Sequence, residues 1–270
     1  MQAEQLGFKT GNRFIVKAID WTIRRGEHWV LFGLNGSGKT TLLSLLAGYR
    51  NYTHGDLRVF GQRYDADNTL ALRSKIGWVS GSYFEKYYTK ESVLDIVLSG
   101  KFATLGLDYG ITDADVRKAK DLLTTFRLKN VISHPFHLLS NGERQCVLTV
   151  RALMAKPDIL IMDEPCAGLD IFSREYLLNF IQDLANKTGI TLIFVTHYAE
   201  EVKPEFEHCL LLRDGKVYAS GFTREVFTSA AISDFIRYPV TVGWKENRLD
   251  VHLKVETCVD AWIDQGILQP

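Results

Sequence analysis

The feature that most constrains this 270-residue chain is a glycine-rich segment, Gly33 to Thr40, between an apolar run and a helix-like run. Its sequence, GLNGSGKT, fits the pattern G-x-x-x-x-G-K-[ST] of a phosphate-binding loop. Backbone N–H groups can surround phosphate oxygens only where no side chain blocks the approach, which explains the glycines. We therefore expect a strand–loop–helix unit that binds a nucleoside triphosphate.

Roles within this loop follow from the chemistry of its side chains. Lys39 is expected to reach the β- and γ-phosphates, and the Thr40 hydroxyl is expected to ligate Mg²⁺. The helix that follows, residues 39–47, directs the positive end of its dipole at the nucleotide. The expected nucleotide-binding residues of the loop are Gly33, Asn35, Gly36, Ser37, Gly38, Lys39, Thr40 and Thr41.

Composition argues against several classes of protein. Lys and Arg together number 32, as do Asp and Glu, so no overall charge attracts nucleic acid or an anionic membrane. The scattered cysteines form no C-x-x-C pair, which argues against a disulfide framework or a zinc site and fits a reducing cytosol. No apolar run approaches the roughly 18 to 20 residues of a membrane span, and a signal-peptide pattern is missing. We expect any membrane role to go through a partner, without direct insertion.

Three short runs that are apolar throughout predict strands buried on both faces of a parallel sheet. They are residues 28–32, 159–162 and 191–195. Each is followed by groups suited to nucleotide chemistry: the phosphate-binding loop, Asp163 with Glu164, and Thr196 with His197. Because ligands of open α/β sheets bind beyond the carboxyl ends of the strands, these three ends predict a single site.

Other elements are predicted around these strands. Apolar residues at helical spacing over 172–187, with Asp170 as N-cap, predict a helix that packs on the sheet. Mixed β-branched and polar residues at 14–23 and 56–60 predict antiparallel strands. A D-G turn within residues 209–219 predicts a hairpin.

The predicted fold class is α/β, with a P-loop NTPase core, a mainly parallel sheet, an antiparallel β subdomain and an inserted α-helical subdomain. We expect one ATPase domain over residues 1–222, with the helical subdomain at about 83–156. Residues 223–270 are expected to be an appendage of unknown role. Valine-containing runs at 240–242 and 251–255 predict a small hairpin within it.

Two adjacent carboxylates at the end of a strand predict a division of roles. Successive strand positions point in opposite directions, so Asp163 and Glu164 are expected to do different things. Asp163 would hold Mg²⁺ through water, and Glu164 would polarise the water that attacks the γ-phosphate. The alternative is a pair of solvent-exposed charges at a sheet edge.

The segment LSNGE precedes a helix that is expected to run to about Lys156. Ser140 with Glu143 three residues later forms a capping box, which stabilises helices in any context. The same helix N-terminus, with a free hydroxyl and the small Gly142, can also meet an anion. These residues alone leave the two interpretations open.

Taken in order, GLNGSGKTT, LSNGERQ, ILIMDEP, AGLD and the histidine after a strand resemble the ATP-binding cassette (ABC) ATPases over roughly residues 5–222. The resemblance implies Mg²⁺-dependent ATP hydrolysis by two cassettes arranged head to tail, with each ATP between the P-loop of one and the LSNGE signature of the other. It implies that Ser140 and Gly142 contact the γ-phosphate in trans and that Asp170 crosses the interface. His197 would be the switch histidine, although alone it fits an ordinary strand-end histidine. The implied catalytic residues are Lys39, Glu164 and His197.

The chain departs from the family pattern in the signature, where Asn141 and Glu143 stand in place of Gly and Gln, and at the Q-loop. Residues 76–82 stand where the family has its Q-loop, but they contain no glutamine, and Ser80 or Ser82 is left as a candidate to reach Mg²⁺ through water. The aromatic residue that stacks on adenine is Phe14 or Phe8, and Phe14 also fits a core strand position. The missing glutamine, together with GEHWV before the P-loop and EPCAGLD after Asp163, gives a weaker resemblance to the molybdate-transport and photorepair-type branch.

An aromatic cluster follows the segment without the glutamine. It consists of Tyr83, Phe84, Tyr87 and Tyr88, with Lys86 and Lys90 interleaved. Aromatic residues at a partly exposed site commonly anchor interfaces, so part of the cluster is a candidate surface for a permease. The alternative is that the cluster packs the helical subdomain.

Three functions are compatible with a chain that carries these motifs. The leading hypothesis is the ATP-hydrolysing subunit of an ABC transporter, which forms a homodimer around two ATP–Mg²⁺ and drives separately encoded transmembrane subunits from the inner face of the cell membrane. The alternative is a soluble ABC ATPase acting on nucleic acid or the ribosome, but the chain lacks zinc-binding cysteine pairs, long heptads and a second cassette. A nucleotide sensor without turnover is disfavoured because Glu164 is present.

Overall fold

The computed structural model describes residues 1–88, 90–106, 110–246 and 248–253. Its strands are β1 (Gln2–Thr10), β2 (Arg13–Thr22), β3 (His28–Phe32), β4 (His54–Arg58), β5 (Ile76–Ser80), β6 (Ile159–Asp163), β7 (Thr191–Thr196), β8 (His208–Arg213), β9 (Lys216–Phe222), β10 (Val240–Lys245) and β11 (Arg248–Leu253). Its α-helices are α1 (Lys39–Leu46), α2 (Thr69–Ser74), α3 (Gly81–Phe84), α4 (Val93–Ser99), α5 (Asp113–Thr125), α6 (Asn141–Leu153), α7 (Ile171–Lys187), α8 (Thr223–Val226) and α9 (Ser229–Ile236). Short 3₁₀ helices are Gly100–Phe102, Lys129–Val131, Phe136–Leu138 and Ala199–Glu201.

The central sheet has the strand order β5-β6-β7-β3-β8-β9, parallel except for the edge strand β9. Strands β6 and β7 are buried along their whole length, and β3 is buried except at its first residue. The three strands predicted from apolar runs are thus confirmed, and they are neighbours. Their carboxyl ends lie side by side at one edge, which places the residues that follow them at one site.

A second, antiparallel sheet has the order β2-β1-β4. The two strands predicted at 14–23 and 56–60 are present, each displaced by one or two residues. Strand β1 was not predicted, because its sequence QAEQLGFKT is rich in polar residues and glycine. It is a strand because it pairs with a neighbour on each side, through ladders with register shifts.

The inserted helical subdomain is built on α4, α5 and α6, which pack on one another. Helix α6 ends at Leu153, earlier than predicted, because the chain leaves the helix in a turn in which Lys156 has a φ of 54°. From the aromatic cluster, Phe84 and Tyr88 are buried in this subdomain, whereas Tyr87 is 41% exposed. None of the helices in the described ranges is long and apolar enough to cross a membrane.

The predicted hairpin and the helix behind Asp170 are both present. Asp170 accepts a hydrogen bond from the backbone N–H of Ser173 and so caps α7. The turn between β8 and β9 has φ values of 52° at Asp214 and 74° at Gly215, as a tight hairpin turn requires. The N–H of Gly215 donates to the carbonyl of Ser37 at 3.0 Å, so this turn supports the phosphate-binding loop.

The core continues past Phe222. The rings of Phe227 and Phe235, from the segment that contains α8 and α9, lie 5.3 and 6.1 Å from the ring of Phe32 in the central sheet. The hairpin predicted at 240–242 and 251–255 is present as β10 and β11. Arg248, the first residue of β11, makes a bidentate ion pair with Glu175 of α7. Residues 254–270, with Cys258, lie outside the described residues.

Candidate functional site

The phosphate-binding loop connects β3 to α1, and two of its glycines are structurally required. A Cβ at Gly33 would lie 2.6 Å from both the Ser37 hydroxyl and the carbonyl of Leu212. Gly38, the N-cap of α1, has a φ of 102°, a conformation that side-chain-bearing residues rarely adopt. The loop thus has the shape that brings backbone N–H groups and the N-terminus of α1 to one cavity.

That cavity has a volume of about 410 Å³ and lies at the carboxyl ends of the parallel strands. Its lining residues are Ile15, Asn35, Gly36, Gly38, Lys39, Thr40, Thr41, Gly81, Ser82, Gln145, Asp163, Glu164 and Ala167. Asp163 and Glu164 both line it, so the expectation that strand alternation sends them in opposite directions was wrong. Glu164 has a φ of 50°, which ends the strand geometry and returns its side chain to the cavity.

Lys39 and Glu164 form an ion pair inside the cavity. The Lys39 Nζ lies 3.0 Å from Oε1 of Glu164 and donates to the carbonyl of Gly33 at 2.8 Å. Burial acts to raise the pKa of Glu164, but the hydrogen bond and charge of Lys39, together with His197, outweigh it and lower that pKa. Glu164 is therefore held in its charged form.

His197 completes this group. Its Nδ1 lies 3.2 Å from the same carboxylate oxygen, Oε1 of Glu164. The three residues expected to be catalytic therefore meet at one atom, although they follow three different elements of the chain. The lysine and the histidine thus both contact Oε1 of Glu164.

Asp163 has a different environment, because it is 4% exposed and points at hydroxyl groups. Its Oδ2 accepts a hydrogen bond from Ser80 at 2.9 Å, and its Oδ1 is buried with no partner among the described residues. Burial raises the pKa of Asp163 to about 6, against the lowering effect of hydrogen bonds from Ser80 and Thr40. A buried carboxylate oxygen without a partner is costly unless a cation reaches it.

The residues present thus fit a hard divalent cation beside a polyphosphate. Mg²⁺ prefers oxygen ligands and keeps several of its waters, and Asp163 offers an unpaired oxygen next to the hydroxyl of Thr40. The Ser37 hydroxyl is likewise buried without a partner among the described residues and faces the loop that would surround phosphates. Of the two serines left as candidates, Ser80 is bonded to Asp163, and Ser82 lines the cavity.

The wall expected to hold adenine carries a residue that the sequence did not indicate. Ile15 of β2 lines the cavity, and strand alternation puts Phe14 on the opposite face. The ring of Phe14 lies 5.0 Å from the ring of His54, and the ring of Phe8 lies 4.8 Å from the guanidinium of Arg50. Adenine stacking by Phe14 or Phe8 therefore stays a prediction.

The signature residues lie in a second cavity, also of about 410 Å³. Ser140, Gly142 and Asp170 line it, whereas the P-loop of the same chain does not. The predicted capping box is present, because the Ser140 hydroxyl accepts from the N–H of Glu143 and donates to its carboxylate at 2.7 Å. Within one chain, the expected site residues are therefore divided between two cavities.

Sequence reasoning missed four residues that line the nucleotide cavity: Ile15, Gly81, Gln145 and Ala167. Gln145 lies on α6, after the signature, and is 6% exposed. Gln145 is the last residue of the motif LSNGERQ. Helical periodicity predicts which face of a helix is buried, but it does not predict which element packs against that face.

Comparisons with known proteins agree with this geometry. A family model described as ABC transporter matches residues 16–167, more than half of the chain. YlmA of Bacillus subtilis, described as an uncharacterized ABC transporter ATP-binding protein, is 39% identical over 92% of this chain and 95% of its own length. ModF of Escherichia coli, described as an ABC transporter ATP-binding protein, is 34% identical over 79% of this chain and 44% of its own length.

A solved structure gives the same result for the fold. A metal-chelate type ABC transporter in an inward-facing conformation superposes with a TM-score of 0.71 and is 26% identical, covering 93% of this chain and 95% of its own. The residues matched by the family model include the P-loop, the signature helix and the strand that ends at Asp163. The chain therefore belongs to the ABC transporter family, as one of its ATP-binding and ATP-hydrolysing proteins.

Proposed function

We propose that this protein binds ATP and Mg²⁺ in the P-loop cavity of each of two copies, and that the signature surface of one copy closes the cavity of the other. The observation that carries the proposal is the division of the site residues between two cavities of one chain. A second copy turned head to tail supplies Ser140, Gly142 and Asp170 to the nucleotide that the first copy holds. The protein is thus a homodimer when it hydrolyses ATP.

The contacts around Glu164 suggest how nucleotide binding prepares hydrolysis. Lys39 is drawn to the phosphates, since a charge-assisted hydrogen bond to phosphate replaces its ion pair with Glu164. This frees Oε1 of Glu164 to accept a hydrogen bond from the attacking water, while His197 keeps the carboxylate in place. Thr40 and Asp163 would hold Mg²⁺, which neutralises charge on the phosphates when bound.

The partner of the homodimer is proposed to be a separately encoded membrane permease. Support comes from the relatives, which are described as ABC transporter ATP-binding proteins. The protein would then work peripherally at the cytoplasmic face of the membrane, moved by ATP binding and hydrolysis. A nucleic-acid partner is disfavoured because the formal net charge is +0, which supplies little attraction for phosphate backbones.

The variant Glu164→Gln tests the catalytic part of the proposal. It should keep ATP binding, lower turnover by a factor on the order of 10² to 10⁴, and accumulate a dimer when ATP is added. Phosphate release and light scattering during size-exclusion chromatography measure the two effects. Glu225→Gln, which removes an exposed carboxylate on α8, is the matched control and should behave as the wild type. Full turnover by Glu164→Gln would refute the role of this residue.

The permease is tested separately. The Glu164→Gln protein with ATP is used to capture partners from detergent-solubilised membranes and from cytosol, and mass spectrometry identifies them. Recovery of a polytopic membrane protein supports the transporter proposal. Recovery of ribosomes or nucleic acid, or of no partner from either fraction, counts against it.

A further inference from the structure

Helix α6 reaches both cavities of the chain. Its first residues line the signature cavity, and Gln145, further along the helix, lines the nucleotide cavity of the same chain. The Gln145 side chain is buried, and its Oε1 has no hydrogen-bond partner among the described residues. A buried amide oxygen without a partner is costly, so it is expected to meet a ligand.

Gly81, the first residue of α3, leaves room for the Gln145 side chain. A Cβ at Gly81 would lie 2.6 Å from Nε2 of Gln145, closer than real contacts allow. Gly81 does not have a positive φ, so no backbone conformation requires glycine at this position. Glycine at position 81 therefore leaves space for the Gln145 side chain, whose amide lies against the point where a Cβ at position 81 would be.

The groups around this amide define what it can bind. Asp163 contributes an unpaired carboxylate oxygen to the same cavity, and Ser82 contributes a hydroxyl. A terminal amide carries an oxygen that accepts and a nitrogen that donates, and the hydrogen bonds made at the cavity determine which of them faces it. Oxygen atoms from an amide, a carboxylate and a hydroxyl make a set suited to the hydrated shell of a hard divalent cation.

We propose that Gln145 binds the metal ion of the nucleotide that its own chain holds, through a water of the metal's coordination shell. This inference rests on the proposed binding of ATP and Mg²⁺ in the P-loop cavity. Residues 76–82 contain no glutamine, and Gln145 provides an amide at this wall of the cavity from a different element. Because α6 also begins with Ser140, one helix contacts the nucleotide of its own chain and the nucleotide of the partner.

Calorimetric titration of ATP in the presence of Mg²⁺ and, separately, in the presence of EDTA tests this role. The variant Gln145→Met keeps the volume of the side chain and removes the amide. It should weaken binding of ATP with Mg²⁺ by about 10- to 100-fold, the range typical of groups that orient metal ligands. Binding of ATP in EDTA should be unchanged.

A second variant moves the amide instead of removing it. In Gly81→Gln, Gln145→Ala the clash is gone and a glutamine stands on the neighbouring loop, so much of the Mg²⁺-dependent affinity should return relative to Gln145→Ala alone. Gly81→Ala with Gln145 in place should weaken binding, because the new Cβ collides with the amide. Gln62→Ala, which truncates an exposed glutamine, is the matched control and should bind as the wild type.

The outcomes separate this inference from the proposed function. If wild-type protein binds ATP no better with Mg²⁺ than with EDTA, the proposed metal site fails, and this inference fails with it. If the wild type depends on Mg²⁺ and Gln145→Met shows the same dependence, only the role of Gln145 is overturned. An equal loss in Mg²⁺ and in EDTA, without recovery in the double variant, would assign Gln145 to packing and also overturn it.

Discussion

The two cavities have similar volumes and opposite chemistry. In the nucleotide cavity, Lys39, Glu164 and His197 are joined through one oxygen atom, and buried oxygens of Asp163 and Gln145 have no partner in the part of the chain that the structure describes. Around the signature cavity the polar groups already serve as helix caps, and large apolar side chains are exposed, with Ile171 at 77% and Phe172 at 64%. The first is arranged for a small ligand, and the second has the character of a surface that meets another protein.

The difference follows from where each cavity lies on the fold. The first is at the carboxyl ends of buried parallel strands, where backbone and side chains are fixed by both faces of the sheet. The second is formed at the N-termini of α6 and α7, which end in solvent and are satisfied locally by Ser140 and Asp170. The groups of the first cavity are therefore held in place by the sheet of their own chain, whereas those of the second are held only at two helix ends.

The largest effect is expected from the first cavity. Lys39→Met removes the charge that both Glu164 and the phosphates use, so turnover should fall by a factor on the order of 10² to 10³. ATP-driven dimerisation should fall with it. Phosphate release and titration with ATP measure the change, and Lys86→Met, on an exposed aromatic surface, is the control. If Lys39→Met bound and hydrolysed ATP normally, the P-loop cavity would not be the nucleotide site.

A smaller effect is expected from the second cavity. Ile171→Glu places a charge on the exposed first turn of α7, where a carboxylate is compatible with the helix dipole, so the fold should be unaffected. Dimer affinity in ATP should fall by about 10-fold or more, the threshold of an interface hot spot, while ATP binding to the monomer is unchanged. Analytical ultracentrifugation with and without ATP measures both states.

The matched control for this variant is Leu70→Glu. Leu70 is also a large exposed side chain in the first turn of a helix, at 57% exposure, but it lies on α2, which contributes no residue to either cavity, whereas α7 contributes Phe172 to the second. It should dimerise as the wild type. An equal loss in both variants would mean that general surface chemistry, and not the signature surface, governs association.

The contrast between the cavities also explains how much the sequence could predict. The P-loop and the buried strands were predictable, because glycine geometry and continuous apolar runs are local properties. The return of Glu164 into the cavity was not, since it depends on one left-handed residue after a strand. Gln145 and β1 were missed for a related reason: the neighbours that give them their roles are distant in the sequence.

The packing of the C-terminal region could not be predicted from the sequence for the same reason. Residues 223–236 have an unremarkable helical pattern, yet Phe227 and Phe235 are buried against Phe32 of the central sheet. Composition cannot reveal which surface of a sheet is left for a later helix to cover. The capping box of Ser140 and Glu143, by contrast, was predictable because a hydroxyl and a carboxylate three residues apart satisfy each other locally.

The smallest predicted effect concerns a carboxyl group behind the nucleotide cavity. Glu201 is 2% exposed, and the hydroxyl of Thr196, the residue before His197, donates a hydrogen bond to it. Burial raises the pKa of Glu201, against the lowering effect of that hydrogen bond. Its contribution to folding is therefore complete below the ordinary glutamate pKa of 4.5 and is lost as the pH rises through the folded pKa.

Glu201→Gln stays neutral and keeps an oxygen that can accept from Thr196, so its melting temperature relative to the wild type should increase with pH. We expect little difference near pH 4.5 and a gain of a few degrees at pH 8, the scale of about 1 kcal/mol in a chain of this size. Nucleotide-free protein is used, so that ligand binding does not mask the effect. A gain that is independent of pH would mean that folding does not raise the pKa of Glu201, and burial of this carboxyl group beside Thr196 would then carry no pH-dependent cost.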